Sequence, residues 1–205
     1  MKKIKSLVIG LGQSGFDLDL DPKRKIIWTH CKAINKHKNL DLCGAIDSDH
    51  SKGFHIKKKF KNKVLFSSDL EECLNEIKPE FISICTPTNT HLDLVKKLSK
   101  FKGIKYIFCE KPLGTNTKEA QEIISLCKES KIILATNYMR RWDKKYLWIK
   151  DKIESKSLGN LISINAYGTT AMYTSSSHLM DLILFYGGSA EKVSGYIQED
   201  FIRKV

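Results

Sequence analysis

Arginine is scarce in this chain of 205 residues, and this scarcity changes what the strongly basic charge indicates about binding partners. The formal net charge is +12, yet only four of the 35 basic residues are arginines: Arg24, Arg140, Arg141 and Arg203. Base recognition favours arginine, because its planar guanidinium pairs bidentately with base edges. The densest lysine run, at 57–63, has Phe60 as its one interleaved aromatic residue. The composition favours a solvated lysine-rich surface over a nucleic-acid groove, so no nucleic-acid partner is predicted.

Paired cysteine motifs and long apolar runs are also missing. None of the six cysteines belongs to a C-x-x-C pair, which excludes the usual zinc and redox motifs, and no metal site is predicted. Several cysteines lie in apolar runs, as buried free thiols do, and this suits a reducing cytoplasm. The N-terminal apolar stretch is interrupted by Gln13 and is too short to span a membrane, so no membrane partner is predicted.

Apolar runs alternate with helix-periodic segments up to residue 137. The runs predicted as strands are 3–9, 40–46, 63–66, 80–85, 104–109 and 131–136. Apolar stripes at helical spacing begin at Leu70, His91 and Ala120. Capping patterns precede two of these helices, Ser68 with Glu71 and Asn116 with Glu119. The alternation predicts an α/β fold with an N-terminal Rossmann domain, a doubly wound parallel sheet, over residues 1–137.

The pattern changes near residue 140. Helices are predicted at 143–157 and 177–186, and strands at 160–167 and 191–197. Two helices and two strands make a poor independent domain, because short sheets with open edges are marginally stable. The sequence therefore predicts an incomplete α+β second domain at 138–205.

A glycine motif closes the first predicted strand. Gly10, Gly12 and Gly15, with Gln13 and Ser14 between the last two, form G-x-G-x-x-G. Such a motif between a strand and a helix binds the pyrophosphate of a dinucleotide, because the turn lets phosphate approach the backbone and the helix N-terminus offers N–H groups. The alternative is a plain strand–helix turn.

An acidic residue is expected about 20 residues after the motif, at the end of the second strand, to bind the adenosine ribose. Asp47 ends that strand but follows Gly15 by 32 residues, and the excess fits an insertion around Asp17–Ile27. The charge of Asp47 would repel a 2′-phosphate, so NAD is favoured over NADP. Nearby Lys52 weakens this inference, and a surface aspartate ending a strand is the alternative.

Polar residues follow the fourth and fifth predicted strands, where ligands of parallel sheets bind. Thr86-Pro87-Thr88-Asn89-Thr90-His91 follows the fourth, and Glu110-Lys111-Pro112 follows the fifth. Lys111 could donate hydrogen bonds to a substrate hydroxyl, or be an ordinary charge at a strand end. His91 lies on an apolar helix stripe, so it is either a ligand or a satisfied core histidine.

His178 and Asp181 lie three residues apart on one face of an otherwise apolar helix. Histidine is the side chain best suited to proton transfer near neutral pH. The pair is therefore a candidate for acid–base work, and a structural pair is the alternative.

These motifs, taken together, resemble the glucose-fructose oxidoreductase, inositol dehydrogenase and rhizopine-catabolism (Gfo/Idh/MocA) family. The matching features are the glycine motif, Thr86-Pro87-Thr88 with His91, Glu110-Lys111-Pro112, Asn137-Tyr138-Met139-Arg140-Arg141, and His178-Leu179-Met180-Asp181. Within the family, the insertion at Asp17–His30 looks like a branch associated with surface-polysaccharide and nucleotide-sugar gene clusters.

The resemblance implies an NAD-dependent oxidoreductase that acts on a hydroxyl carbon of a sugar or nucleotide sugar. Lys111 would bind the reacting hydroxyl, His178 would be the general base, and Asp181 and Arg141 would help bind substrate. The resemblance also implies that the nicotinamide side is lined by Thr86, Pro87, Asn89, His91, Glu110 and Lys111. It leaves the Lys111–Pro112 bond open to being cis, as in relatives.

Two departures from the family pattern concern Thr174 and the C-terminus. Many relatives carry an aspartate four residues before the histidine, where this chain has Thr174. Relatives also carry a large sheet after the Rossmann domain, forming a substrate wall and usually an oligomer interface. The chain is therefore expected to be C-terminally truncated: a fragment, a frameshifted product or half of a split enzyme.

Three functional hypotheses follow. The chain is an active dehydrogenase, as a homo-oligomer or completed by a complementary C-terminal chain; or it is an inactive nucleotide-binding remnant; or, on charge alone, it binds nucleic acid.

Overall fold

The computed structural model describes residues 2–169 and 176–196. The chain divides into two compact units, Met1–Asn137 and Tyr138–Val205.

The first unit is built on one parallel sheet of six strands, ordered β3-β2-β1-β4-β5-β6. The strands are β1 (Ile4–Ile9), β2 (Leu40–Ile46), β3 (Leu65–Ser67), β4 (Phe81–Ile84), β5 (Tyr106–Cys109) and β6 (Ile133–Thr136). This order reverses direction between β1 and β4, the point at which doubly wound sheets bind ligands. The predicted Rossmann sheet is confirmed, and each strand falls within or beside its predicted segment.

Five helices cover the two faces of the sheet. They are α1 (His30–Lys36), α2 (Lys52–Lys59), α3 (Leu70–Ile77), α4 (His91–Leu98) and α5 (Thr117–Glu129). Side chains of a strand alternate between faces, so Leu7 and Ile9 of β1 join one buried apolar cluster and Val8 joins the other. The near-continuous apolar strands of the sequence follow from this burial on both sides.

The helix caps correct one sequence prediction and confirm another. Asp69, not Ser68, caps α3, and its carboxylate accepts hydrogen bonds from the N–H groups of Glu71 and Glu72. Asn116 caps α5 as predicted, with its Oδ1 3.0 Å from Glu119 N. In return, Oε2 of Glu119 accepts from the N–H of Thr115 at 2.8 Å, one residue before the cap.

The insertion around Asp17–Ile27 separates a single helical turn at the glycine motif from the rest of that helix, α1. After the glycine motif the chain makes one turn, with Phe16 N donating to Gly12 O, and then leaves on an excursion at 17–29 that includes a short 3-10 turn, Asp17–Leu20. The helix resumes at His30, whose N–H donates to Ser14 O at 2.9 Å, and Cys31 N donates to Gly15 O at 3.1 Å. Only one turn of helix therefore follows Gly15 directly, and Pro22 with the charged residues around it forms an excursion outside the helix.

The excursion explains the long spacing before Asp47. In an unbroken helix, residue 18 would donate to Ser14 O, which is the bond that His30 makes. Twelve residues are therefore extra, and without them Asp47 follows Gly15 by 20 residues instead of 32.

The second unit contains a 3-10 turn, Met139–Trp142, and two helices, α6 (Lys144–Glu154) and α7 (Ser177–Gly187). The two helices contact each other: Nζ of Lys150 donates to Phe185 O at 2.8 Å, and the hydroxyl of Tyr186 lies 3.3 Å from Tyr146 O. The strand predicted at 160–167 is wrong, since this segment has no strand pairing within the described chain. Residues 191–196 of the other predicted strand also lack strand structure, and residue 197 lies outside the described residues.

Among the residues that the structure describes, no helix has the length and apolar character needed to cross a bilayer.

Replacement of Asn116 by alanine should lower the free energy of unfolding by about 1 kcal/mol, because the N–H of Glu119 loses its cap. Asn116→Asp retains an acceptor at the same place and should stay close to wild type. Urea unfolding of the three proteins measures this difference; equal stability of Asn116→Ala and wild type would contradict the cap's contribution.

Candidate active site

The glycine turn after β1 packs tightly on two sides and is open on the third. Gly10 has φ +90°, and a Cβ there would lie 2.8 Å from the carbonyl carbon of Cys85. A Cβ on Gly15 would lie 2.0 Å from Gly10 O. On Gly12, by contrast, a Cβ would meet no heavy atom of the described chain within 4 Å. The open side lies above Gly12, where a ligand can reach the backbone.

A cleft of about 740 Å³ opens beside this turn, at the carboxyl ends of β1, β2 and β4. Gly10 and Gly12 line one part of it, Asp47 and Ser48 another, and Thr86 and Pro87 a third. The cleft is at the switch point between β1 and β4, where the sheet topology predicts it. Its lining is mainly apolar with a few polar groups, which is typical of a cofactor site.

Asp47 ties the end of β2 to the glycine turn. Its Oδ2 accepts a hydrogen bond from Leu11 N at 2.6 Å, and its Oδ1 accepts one from Asp49 N at 2.9 Å. Each carboxylate oxygen has two acceptor positions, so both retain capacity for a ligand hydroxyl. The carboxylate is therefore held rigidly at the edge of the cleft.

The remaining predicted cofactor residues differ in their placement. Gln13 is exposed and Ser14 half-buried on the turn, while Asn89 is exposed in a 3-10 turn, Thr88–Thr90. Thr86 accepts a hydrogen bond from the Thr90 hydroxyl at 2.7 Å, which fixes this side of the cleft.

His91 is a core histidine, one of the two alternatives left open by the sequence. The prediction that its side chain lines the cofactor site is therefore corrected. The side chain is fully buried. Its Nε2 lies 3.0 Å from Thr86 O, and its Nδ1 lies 3.1 Å from Leu113 O and 3.4 Å from Cys109 Sγ. Because both ring nitrogens contact protein atoms, the imidazole ties the loop after β4 to the loop after β5.

Glu110 lies at the centre of a buried network that the sequence did not reveal. Its Oε1 is 2.9 Å from Nε2 of His30 and 2.8 Å from Nδ2 of Asn137, and Nδ1 of His30 is 2.6 Å from Oγ of Ser83. Capping by Thr29 was a readable signal for a helix start at His30, with Thr29 Oγ1 3.2 Å from Lys32 N. No spacing rule, however, pairs residues 30 and 110, which approach only because α1 packs on the sheet.

Opposite charges in this network shift both pKa values. Burial lowers the pKa of His30, but hydrogen bonds and charges from Cys85 and Glu110 outweigh it and raise the pKa from 6.5 to about 10. Burial raises the pKa of Glu110, but hydrogen bonds from His30 and Asn137 outweigh it and lower the pKa below its ordinary value. At neutral pH the two groups therefore form a buried ion pair.

Lys111 is the next residue after Glu110, and its backbone is bonded to this network. Its backbone N–H lies 3.2 Å from Oε2 of Glu110, and the Lys111–Pro112 peptide bond is cis. Lys111 follows β5, which is two strands from β1 in the sheet. Neighbouring strands are about 4.8 Å apart, so the ends of β1 and β5 are about 10 Å apart along the same edge.

In the second unit, Asp181 pairs with Arg141. Nε of Arg141 lies 2.8 and 2.9 Å from the two carboxylate oxygens of Asp181, and its guanidinium stacks 5.0 Å from the centre of the Phe185 ring. His178 is half-buried on the same helix, with its ring edge-on to Tyr138 at 5.8 Å. Thr174, where many relatives carry an aspartate, lies outside the described residues.

No group of three or more potential metal-ligating side chains is found in the parts of the chain that the structure covers.

Comparison with known proteins decides the family. The sequence model of the Gfo/Idh/MocA oxidoreductase family, described as having an NAD-binding Rossmann fold, matches residues 25–138, more than half of the chain. The chain belongs to this family.

Individual relatives are distant and longer. The chain is 27% identical over 154 residues to an uncharacterised oxidoreductase of Schizosaccharomyces pombe, which covers 66% of the chain and 41% of that protein. It is 33% identical over 91 residues to a myo-inositol 2-dehydrogenase of Thermotoga maritima, covering 44% of the chain and 27% of the relative. The chain thus spans less than half the length of these two relatives.

A solved structure shares the fold. An oxidoreductase from Agrobacterium radiobacter, crystallised with NAD+, L-tartaric acid and magnesium, has a TM-score of 0.74 at 17% identity. The match covers 91% of this chain and 55% of that protein.

The residues present fit the NAD implied by the Gfo/Idh/MocA family. Gly12 leaves open the space that a pyrophosphate needs, and Asp47, which lines the same cleft, has acceptor capacity for the ribose hydroxyls. Without the residues of the excursion, the spacing between Gly15 and Asp47 also agrees with the dinucleotide fingerprint.

Two glycine variants should separate folding from binding. Gly12→Ala should unfold like wild type, because the added methyl meets open space and the φ of Gly12 lies outside the left-handed region. It should nevertheless weaken NAD binding by at least about tenfold, because the methyl occupies the space above the turn.

Gly15→Ala is the matched variant, and it should lower stability by about 3 kcal/mol through the clash with Gly10 O. Thermal unfolding and isothermal titration with NAD+ measure both properties. A Gly12→Ala protein with wild-type affinity would contradict the position assigned to the pyrophosphate.

His30→Gln should destabilise the protein by about 3 kcal/mol near pH 6, because it leaves a buried Glu110 carboxylate without its cation. The pKa of His30 is raised on folding, so its contribution is complete below pH 6.5 and disappears as pH rises through about 10. The stability gap between wild type and variant should therefore narrow from pH 6 to pH 10. Urea unfolding across this range tests it, and a constant gap would show that His30 acts through packing alone.

Proposed function

We propose that this chain is the cofactor-binding half of an NAD-dependent oxidoreductase that transfers hydride between nicotinamide and a hydroxyl-bearing carbon of a sugar or nucleotide sugar. The observation that carries the proposal is the cleft at the β1–β4 switch point, open above Gly12 and lined by Asp47. Lys111 follows at the same sheet edge. The names of two similar proteins support a polyhydroxylated substrate, since one is a myo-inositol 2-dehydrogenase and the other was crystallised with tartaric acid.

The protein's task is to bind and orient the alcohol and to accept its proton. When bound, NAD+ supplies the hydride acceptor at nicotinamide C4, so that the alcohol carbon loses hydrogen with its electron pair and becomes a carbonyl carbon. Lys111 would donate hydrogen bonds from its ammonium group to the oxygen of that alcohol, which stabilises negative charge developing there. His178 would take the hydroxyl proton as general base.

Neighbouring residues hold the backbone of Lys111 and, in the second unit, the side chain of Arg141. His30 and Asn137 hold the Glu110 carboxylate, which in turn accepts a hydrogen bond from the Lys111 N–H. These contacts fix the backbone at Lys111. Arg141 engages Asp181 through Nε, so its Nη groups would be the donors for substrate oxygens. Asp181 then acts by orienting Arg141 as much as by contacting substrate.

The test is NADH formation at 340 nm when the full chain is incubated with NAD+ and a panel of polyols, sugars and nucleotide sugars. Lys111→Ala should abolish hydride transfer while leaving NAD affinity within about threefold of wild type, because the lysine acts on substrate. Lys102→Ala is the matched control, since Lys102 is exposed in the loop before β5, at the opposite edge of the sheet. Unaltered turnover in Lys111→Ala would remove the lysine from its role. NAD binding without turnover on any substrate would reduce the function to nucleotide binding.

A further inference from the structure

The excursion at 17–29 is fastened to the helices beside the adenosine end of the cleft through two acidic residues. Nζ of Lys52, the first residue of α2, lies 2.5 Å from Oδ2 of Asp17 and also contacts Oδ1. Asp19 is buried; its carbonyl accepts from Nζ of Lys59 at 3.0 Å, and its Oδ1 lies 3.7 Å from Nζ of Lys32. The acidic 3-10 turn is therefore held in place by lysines of α1 and α2.

Lys52 lies close to the carboxylate that ends β2. Its N–H donates to Asp49 O at 3.1 Å, and the N–H of Asp49 in turn donates to Oδ1 of Asp47. Hydrogen bonds from Ser51 lower the pKa of Asp49, and the nearby ammonium charge of Lys52 lowers it further. The backbone of Lys52 is thus tied through Asp49 to the aspartate that we assign to the ribose.

A cation at this place is what the 2′-phosphate of NADP requires, whereas the 2′-hydroxyl of NAD requires an acceptor such as Asp47. The sequence has both kinds of residue within six positions, Asp47 and Lys52, which by themselves give no clear preference. The structure adds a third residue, Asp17, which engages the ammonium group of Lys52 and whose N–H donates to Gly12 O of the glycine turn at 3.0 Å.

We propose that Asp17 determines cofactor specificity: by pairing with Lys52 it withholds the ammonium group from the adenosine 2′ position, and the site selects NAD over NADP. The proposal rests on the proposed function, in that it requires the cleft to bind a nicotinamide dinucleotide. It assigns the excursion a role in cofactor choice, at the end of the cleft away from the hydride-transfer chemistry.

The test measures the dissociation constants of NAD+ and NADP+ for the full chain by isothermal titration. Asp17→Asn keeps the side-chain shape, removes the charge and releases Lys52, so the ratio of the NADP+ to the NAD+ constant should fall by about tenfold or more. The matched control is Asp21→Asn, which removes the same charge from the same excursion, where Asp21 pairs only with exposed Arg24 among the described ion pairs. This control should leave the ratio within about twofold of wild type.

A double variant tests whether the released Lys52 causes the change in the ratio. In the wild-type background, Lys52→Met should weaken NADP+ binding, because it leaves the Asp17 carboxylate without its cation. In the Asp17→Asn background it should restore the wild-type ratio. Thermal unfolding checks that each variant folds, and if Asp17→Asn does not, Asp17→Ala, which also removes the carboxylate, takes its place with the same expected fall in the ratio.

The outcomes separate this proposal from the cofactor assignment. Wild type that binds neither dinucleotide at millimolar concentration overturns both. Wild type that binds NAD+, with an unchanged ratio in Asp17→Asn or an equal change in Asp21→Asn, overturns the role of Asp17 and leaves the cofactor assignment standing.

Discussion

Two backbone hydrogen bonds, His30 N to Ser14 O and Cys31 N to Gly15 O, hold the candidate site together. They let the chain leave the first helix for a dozen residues and return without displacing either the glycine turn or the helix that follows. Because the helix resumes in register, β2 ends where it would without the excursion, and Asp47 reaches the N–H of Leu11 on the glycine turn. The same return places His30 against the sheet, where it meets Glu110.

The electrostatics of the cleft follow from this arrangement. At the glycine turn the chain offers backbone N–H groups and open space, which suit a diphosphate. At the end of β2 it offers the Asp47 carboxylate, and Lys52 nearby has an ammonium group paired with Asp17. At the end of β5 the pairing of His30 with Glu110 leaves no net charge in the buried network, so Lys111 supplies the positive charge next to it.

The positions of two histidines show what a sequence pattern can and cannot predict. His91 and His30 both lie on helices that pack against the sheet, and the stripe containing His91 left two alternatives open. The tertiary structure decides between them, because His91 contacts two backbone carbonyls in the core, whereas His30 contacts a carboxylate at the site edge. Similarly, the strand predicted at 160–167 has the right alternation but no partner in the described chain, and a strand requires a neighbour to satisfy its backbone groups.

The sequence by itself determined the Rossmann sheet, the glycine turn, Asp47 as its acidic partner and the position of Lys111 after β5. These features depend on local periodicity and on short-range spacing, which a single chain displays directly. Only the tertiary structure decided that the excursion lies inside the first helix, that His30 pairs with Glu110 and that Asp17 pairs with Lys52. The last two contacts join residues 35 and 80 positions apart, and they depend on how helices pack on the sheet, which no local pattern encodes.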